Sequence, residues 1–179
     1  MLVRLITTAI ASSVLLGACA SMSESQCQVA DWQRVGYADG AAGIGESRLA
    51  EYVTDCGKIG ITPNAVAYRS GWDEGIVGFC RPANGWREGV MGHAGKEIAC
   101  RGQPGYDRFA RNLQAGLQLY RINEQIQQNH QEIYRLQIRL DNSATSDTDK
   151  AWIRSALNQL DLEQHRLRTL YHQQRLLAP

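Results

Sequence analysis

Apolar residues near the C-terminal end of the chain recur at alternating steps of three and four residues in two separate stretches. This is the a/d spacing of heptad repeats, so it predicts two helices that each present one apolar seam. Because only the polar segment 141–149 separates the stretches, the helices are expected to pack as antiparallel neighbours. The two series are Leu119, Ile122, Ile126, Asn129, Ile133, Leu136 and Leu140, then Ile153, Ala156, Leu160, Glu163, Leu167, Leu170, Gln174 and Leu177.

The two series can be aligned in a single register. Pairing Leu140 with Ile153 also brings the other apolar layers opposite one another along the hairpin. In the same alignment Asn129 falls opposite Glu163, and a polar layer of this kind lowers stability but fixes register. The pattern predicts an antiparallel coiled-coil hairpin about 30 Å long, from a rise of about 1.5 Å per residue. A longer helix that associates between chains is the alternative.

A phrase of the form Gly–aromatic–x–acid–Gly–x–x–Gly occurs three times, as GYADGAAG from Gly36, GWDEGIVG from Gly71 and GWREGVMG from Gly85. On a helix its glycines share one face and let another backbone approach closely. Glycine inside a helix costs about 1 kcal/mol relative to alanine, so close packing must compensate, and packing is the favoured interpretation. Residues 81–100 hold the third copy between a proline and further glycines, which favours turns with at most a short helix.

A second interpretation assigns the phrases a ligand. Their aromatic and acidic residues could line a groove for a glycan or a peptide: Tyr37, Trp72, Trp86, Asp39, Glu74 and Glu88. Paired carboxylates could in principle also cleave a glycosidic bond, although acids on small helices are usually solvated or paired with arginine. No Ser–His–Asp or Cys–His set is recognisable. We therefore expect no enzymatic activity, no catalytic residue, no metal site and no cofactor.

Local signals place helices around the first two phrases. Asp31 can cap a helix that carries the first phrase, and residues 48–56 have helical spacing. Thr62 followed by Pro63 predicts the start of a helix, because a hydroxyl caps the N-terminus and proline suits the first helical position. This helix is expected to run to about Phe79 and to carry the second phrase.

The N-terminus has the features of a secretory signal. A positive charge at Arg4 precedes an apolar run over residues 5–16 that is too short to span a membrane. The run ends in LGAC at positions 16–19, which resembles a bacterial lipobox and implies cleavage before Cys19 and its acylation. An ordinary secretory signal with an unrelated cysteine is the alternative. Because Ala20, not aspartate, follows, the resemblance favours the outer membrane.

The other cysteines are Cys27, Cys56, Cys80 and Cys100. An even number in an oxidising compartment favours disulfides, and three pairings are possible. We favour the sequential pairing, Cys27 with Cys56 and Cys80 with Cys100, because it closes the two shorter loops, at about 3 kcal/mol per bridge. A four-cysteine zinc site is the weaker alternative, since no pair has C-x-x-C spacing and the periplasm oxidises thiols.

The chain changes composition near Gly102. Glycines and aromatic residues are frequent before it, and leucine, glutamine and arginine predominate after Pro104. We expect a mainly α protein made of a signal peptide, a short flexible lipidated tether, a small disulfide-bonded glycine-rich helical domain and the coiled-coil hairpin. The net charge of +1 gives no indication of nucleic-acid binding. The expected boundaries are 1–18, 19–26, 27–101 and 104–178.

The succession of motifs also carries a family resemblance. CQVADWQRVGYADGAAG, a cysteine, PNAVAYRSGWDEGIVGFC, NGWREGVMG, a further cysteine and FARNLQAGLQLY follow one another over residues 27–120. This order resembles the uncharacterised proteobacterial lipoprotein family known as domain of unknown function 2799. The resemblance implies an envelope location and disulfides at the four cysteines, and it implies no activity. The long glutamine- and arginine-rich extension departs from the family pattern.

The expected function is that of a lipid-anchored protein of the cell envelope with a structural or protein-interaction role. Acyl chains on Cys19 would hold the domain at the outer membrane of a Gram-negative bacterium, facing the periplasm. The hairpin would bind an envelope protein or a second copy of the chain. A peptidoglycan- or glycan-binding module that uses the groove residues is the alternative.

Overall fold

The computed structural model describes residues 21–179, and within them the chain is helical with no strand, which confirms the mainly α class. A short 3₁₀ turn at Ala94–Lys96 precedes the sixth helix. The predicted signal peptide and the predicted acylation site Cys19 lie outside the described residues. The helices are α1 (Glu24–Val29), α2 (Trp32–Ala41), α3 (Arg48–Gly57), α4 (Ala65–Phe79), α5 (Pro82–Val90), α6 (Glu97–Cys100), α7 (Tyr106–Asp141) and α8 (Asp147–Arg175).

The antiparallel hairpin is formed by α7 and α8, which pack against each other. Ser146 caps α8, and its Oγ accepts the N–H of Asp149 at 3.1 Å. Seam residues such as Leu136 and Ile153 are almost fully shielded from solvent. The seam ends before Leu177, which lies beyond the end of α8 and is exposed.

One layer of the hairpin differs from the prediction. Gln164, not Glu163, is buried in the seam, while Glu163 lies at the surface and pairs with Arg166. An unpaired carboxylate is costly to bury, and a straight α-helix drifts relative to a strict heptad, so the neutral neighbour takes the buried position. Asn129 Nδ2 and both side-chain polar atoms of Gln164 are buried without a hydrogen-bond partner among residues 21–179. The polar layer therefore consists of two amides.

Both predicted disulfides are present. Cys27 is bonded to Cys56 and Cys80 to Cys100, with Cα–Cα distances of 5.5 Å and 5.6 Å. The first bond ties α1 to α3, and the second ties the end of α4 to α6. All four cysteines are buried, so the sequential pairing is confirmed and the four sulfurs are not available as thiolate ligands.

Side-chain caps set the starts of α2 and α4. Asp31 caps α2, as predicted, by accepting N–H groups of its first turn. The start predicted at Thr62 is wrong by two residues, because Asn64 provides the cap of α4 and its Oδ1 accepts the N–H of Ala67 at 3.0 Å. An asparagine at this position competes directly with the hydroxyl of Thr62 for the cap.

The third phrase lies on a helix, which corrects the expectation that residues 81–100 are mostly turns. α5 begins at Pro82, where the missing N–H of proline breaks no helical hydrogen bond. The helix ends at Val90, and Gly92 follows in the left-handed region with φ of 81°. Gly92, which favoured a turn in the sequence analysis, therefore ends a helix.

Residues 21–26, which we expected to form part of a flexible tether, are held on the domain instead. Ser23 caps α1 in a capping box with Gln26, in which each side chain bonds the other residue's N–H. Met22 packs against the hydrophobic core. A small polar segment was interpreted from composition alone, whereas its Ser-x-x-Gln spacing is that of a capping box.

The glycine phrases pack helices in pairs. In unit A, α2 lies against α4. A Cβ atom placed on Gly36 would overlap the carbonyl oxygen of Tyr68, and one on Gly71 would overlap that of Gln33. A Cβ atom on Gly40, four residues after Gly36, would overlap the carbonyl oxygen of Trp72, four residues after Tyr68. The contacts therefore advance in the same direction along both helices, so the two helices are parallel.

Unit B repeats this arrangement with α5 and residues 106–120 of α7. A Cβ atom on Gly85 or Gly89 would overlap the carbonyl oxygen of Phe109 or Leu113, respectively, and one on Gly116 would overlap that of Trp86. The start of α7 thus carries a fourth, degenerate copy of the phrase, which the sequence pattern alone did not identify. The favoured interpretation of the phrase as a packing motif is confirmed.

The last glycine of the phrase has a different role in different copies. Gly43 and Gly92 adopt positive φ values of 61° and 81° just after α2 and α5, where they end the helices. Gly78 lies inside α4, and a Cβ atom there would meet nothing within 4 Å. One sequence phrase therefore has two structural uses.

The hydrophobic core joins the two units. Phe79 at the end of α4 packs on Phe109 near the start of α7, with ring centroids 5.8 Å apart. Leu113 and Leu117 of α7 belong to the same buried cluster as Tyr68 and its neighbours on α4. We expected the disulfide-bonded domain to end near Arg101, but residues 106–117 form part of its core. α7 is therefore shared between the domain and the hairpin.

Candidate functional site

The six residues proposed for a ligand groove occupy different environments. Trp72 lies in the core, where its Nε1–H donates to the carbonyl oxygen of Ile44 at 2.7 Å. Trp86 is half-buried, and Glu74 is exposed. Tyr37 exposes 48% of its surface. Of the aromatic residues in the set, Tyr37 is therefore the one most available to a ligand.

Asp39 forms a buried cluster with two tyrosines. Its Oδ2 accepts the hydroxyl hydrogens of Tyr68 at 2.8 Å and Tyr52 at 3.0 Å. Burial, together with the hydrogen bond to Asp39, raises the pKa of Tyr68 well above its usual range, and burial raises the pKa of Tyr52. Both hydroxyls stay protonated at neutral pH and satisfy the carboxylate. The cluster has the features of a structural cross-link between α2, α3 and α4.

Glu88 in unit B is also buried, but its partners reach the surface. Its Oε2 lies 2.9 Å from His93 Nδ1, and Arg87 Nη2 lies 3.5 Å from Oε1. The side chains of His93 and Arg87 are 51% and 67% exposed, respectively. Asp39 and Glu88 are thus engaged in separate clusters, and of the three acids proposed for the groove Glu74 is the one at the surface.

The structure brings Tyr37 and Glu74 together at an open depression of about 670 Å³. A side chain from each of the three phrases lines it: Tyr37 from the first, Glu74 from the second and Arg87 from the third. Arg81 and Asn84 complete the polar lining. We take this depression as the candidate binding site of the described part of the chain.

The charges around the depression are mixed. Glu74 supplies a carboxylate, and Arg81 and Arg87 supply two guanidinium groups. Asn84 Nδ2 donates to the carbonyl oxygen of Phe79 at 2.8 Å, whereas its Oδ1 is buried without a partner among residues 21–179. This lining suits a polar ligand that carries both hydrogen-bonding groups and charge.

The sequence did not predict Arg81, Asn84 and Arg87 as site residues. Arg87 occupies the unspecified third position of its phrase, and Arg81 and Asn84 lie just before and at the start of α5. They reach the depression because unit B packs beside unit A. The repeat marked the glycines, the aromatic residues and the acids, and it contained no signal for the positions between them.

Among residues 21–179, no group of three or more His, Cys, Asp or Glu side chains is placed to hold a metal ion. No helix in this part of the chain is both long and apolar enough to cross a membrane.

Comparison with known families agrees with the boundaries of the two units. Residues 31–118 match the family model described as Protein of unknown function (DUF2799), so a DUF2799 domain lies in this part of the chain. The match begins at the cap of α2 and ends on α7 just after Gly116, so it covers the glycine-packed units and leaves out most of the hairpin. The chain matches no curated protein and no solved structure.

Proposed function

We propose that the two units form the body of a non-enzymatic interaction protein of a bacterial cell envelope, anchored to the outer membrane by acyl chains on Cys19. Its helical hairpin binds a protein partner. The anchor rests on the lipobox-like LGAC sequence, and the interaction role rests on the surface of the hairpin.

The observation that carries the interaction role is the set of exposed apolar side chains near the turn of the hairpin. Trp152 is 56% exposed at the start of α8, and Ile138 is 55% exposed near the end of α7. Single exposed apolar residues are common on protein surfaces. Tryptophan is costly to leave in water, however, and is enriched in the energetically important parts of interfaces. These residues lie far along the hairpin from the core, so they do not stabilise the domain.

The hairpin itself supports a role in contact with other molecules. α7 contains 36 residues, which corresponds to about 54 Å at about 1.5 Å per residue. Only its first part packs in the domain core, and the remainder packs on α8. A helical hairpin that extends from a small domain presents a large surface, which favours partner binding.

Photo-crosslinking in living cells tests the interaction. A photoreactive amino acid in place of Trp152 is expected to give adducts with one envelope protein, or with the chain itself if it self-associates. Asn158, an exposed polar residue on the same helix, is the matched control position. Equal adduct yields at both positions would contradict a specific interface. The identity of the adduct separates a partner from a second copy.

Metabolic labelling tests the anchor. Labelled palmitate is expected to enter the wild-type protein and to be absent from the Cys19→Ala variant. Incorporation that survives Cys19→Ala, or no incorporation into the wild type, would contradict acylation at this residue.

A second candidate function is binding of peptidoglycan or another envelope glycan in the depression. It is favoured by the half-exposed ring of Tyr37, which lies beside Glu74 and Arg87. An aromatic face with a few converging polar groups is the usual composition of a ligand site. Purified sacculi are expected to retain the wild-type protein and to retain a Tyr37→Ala, Arg87→Ala variant less. Trp72→Ala is unsuitable as a test, because Trp72 lies in the core.

A further inference from the structure

The first described residues are clamped to α3. The backbone N–H and the Oγ–H of Ser21 both donate to Asp55 Oδ2 at 2.7 Å. Lys58 Nζ binds the other carboxylate oxygen at 2.6 Å, and the hydrogen bonds from Lys58 and Ser21 hold the pKa of Asp55 well below its usual range. The carboxylate therefore stays ionised over the neutral range and accepts all of these donors.

The next residues continue this attachment. Met22 packs on the core, with its Sδ 3.9 Å from Cys56 Sγ. α1 then begins at Glu24 under the Ser23 cap, and Cys27 is bonded to Cys56 of α3. Residues 21–27 are thus tied to α3 by hydrogen bonds, by packing and by a covalent bond.

We call the hydrogen bonds of Ser21 and Lys58 to Asp55 the clamp. It lies very close in sequence to the proposed acylation site. One residue, Ala20, separates Ser21 from Cys19. Consecutive Cα atoms are about 3.8 Å apart, so a link of two residues reaches at most about 7.6 Å from the Cα of Ser21. A lipid attached to Cys19 must leave the protein at this place on its surface.

We propose that the surface around Ser21, formed by α1 and the C-terminal end of α3, lies directly against the lipid headgroups of the membrane. If residues 20–26 formed a free tether, the domain could move away from the membrane. The attachment of residues 21–26 to α3 prevents this movement. This inference rests on the proposed acylation of Cys19, and it adds a fixed contact between the domain and the lipid surface.

The residues around the clamp are compatible with this contact. Val29 exposes 83% of its surface, and it shares a shallow depression of about 380 Å³ with Met22. Lys58 is 64% exposed beside Asp55, and long basic side chains of this kind lie readily along a lipid surface. The exposed valine near the attachment point contacts the apolar side of the headgroup layer instead of water.

Photo-crosslinking to lipid tests the contact. The full-length acylated protein carries a photoreactive amino acid at Val29 and is reconstituted into vesicles of phosphatidylethanolamine and phosphatidylglycerol. The control position is Ile138, which is also apolar and exposed but lies near the turn of the hairpin. Adducts with phospholipid, detected as a mass increase, are expected severalfold more often from position 29 than from position 138. Equal yields from the two positions would overturn the proposal.

A second variant tests the clamp itself. Asp55→Ala, made in the protein with the probe at position 29, is expected to reduce the lipid adducts severalfold because it frees Ser21. Glu51→Ala is the matched control, since Glu51 lies one turn earlier on α3 and pairs with Arg48 at the surface. Unchanged lipid adducts in Asp55→Ala would overturn the role of the clamp.

The mass of the N-terminal peptide is measured in the same preparations. A peptide without acyl groups would overturn the proposed anchor, and with it the membrane contact. An acylated protein with equal adducts at positions 29 and 138 would overturn the membrane contact alone. The two failures are therefore distinguishable.

Discussion

At its crossing, unit A carries two glycines on each helix of the pair, whereas unit B has Asn112 on α7 where a glycine would complete the set. Gly71 of unit A meets the carbonyl of Gln33, the second residue of α2. The corresponding place in unit B is Pro82, the first residue of α5. The side chain of Asn112 is partly exposed, and its Nδ2 donates to the carbonyl oxygen of Arg108, one turn earlier on α7, at 2.8 Å. Unit B therefore accommodates a side chain that turns back onto its own helix, whereas a Cβ atom on Gly71 would overlap the backbone of α2.

The acids of the two units differ in a related way. Asp39 is surrounded by buried tyrosine hydroxyls, whereas Glu88 is paired with His93 and Arg87, which reach solvent. The same phrase thus supplies a buried cross-link in one unit and a partly solvated ion pair in the other. Unit A is expected to be the more sensitive to substitution.

The largest effect is expected from a methyl group at a glycine crossing. Gly36→Ala should lower the free energy of unfolding by about 3 kcal/mol or more, because the added Cβ overlaps the backbone of α4, which cannot move aside. Gly78→Ala is the matched control, since nothing lies within 4 Å of that position. It should raise stability by up to about 1 kcal/mol through helix propensity. Urea denaturation followed by circular dichroism measures both, and equal changes would contradict the packing role.

The acids should give the next largest difference. Asp39→Ala leaves two buried hydroxyls without an acceptor, so it should lower the free energy of unfolding by about 2 kcal/mol. Glu88→Ala leaves its partners free to bind water, and the cost should stay below about 1 kcal/mol. The same denaturation experiment compares the two variants. A larger loss for Glu88→Ala would reverse the comparison between the units.

Alkaline pH should destabilise unit A. The pKa values of Tyr68 and Tyr52 are raised in the folded protein, mainly by burial, whereas an unfolded tyrosine titrates near pH 10. Their contribution is therefore complete below about pH 10 and is lost as the pH rises further, because only the unfolded chain releases protons there. The urea midpoint measured against pH should fall less steeply in a Tyr52→Phe, Tyr68→Phe variant. Tyr134→Phe, which removes an exposed hydroxyl, is the control, and an unchanged slope in the double variant would contradict this account.

The smallest effect is expected from restoring the missing glycine. Asn112→Gly should change the free energy of unfolding by no more than about 0.5 kcal/mol, the difference in helix propensity between the two residues. The reverse substitution at the equivalent position of unit A, Gly71→Asn, should destabilise the protein as strongly as Gly36→Ala. Changes of similar size in the free energy of unfolding for Asn112→Gly and Gly71→Asn would show that the two crossings are equivalent.

The elements that sequence reasoning predicted well depend on neighbours in the chain. The heptad seams of α7 and α8, the Asp31 cap and the disulfide pairing follow from spacing, local hydrogen bonds and loop length. The errors at Thr62 and in residues 81–100 are also local, since a stronger cap at Asn64 and a helix-ending Gly92 were given too little weight. The heptad spacing placed Glu163 in the seam, and it did not predict that the helix turns the neighbouring Gln164 into the buried position.

The candidate site was predicted only in part. Tyr37 and Glu74 belong to the repeated phrase and could be chosen from it. Arg81, Asn84 and Arg87 reach the depression because unit B packs against unit A, and no periodicity of the sequence records that contact. Trp72, which the second interpretation assigned to a ligand groove, fills the core. A repeat shows which residues are equivalent along the chain and not which way each one faces.

Local sequence patterns were sufficient to predict a helical protein with two disulfides, a C-terminal hairpin and glycines spaced for close helix contact. These properties rest on short-range spacing and on the chemistry of single residues. Long-range packing sets which helices pair, makes α7 complete the domain, binds residues 21–26 to α3 and brings the side chains of the depression together. Each of these depends on contacts between residues distant in sequence, and many arrangements satisfy the same local pattern until the whole core is packed at once.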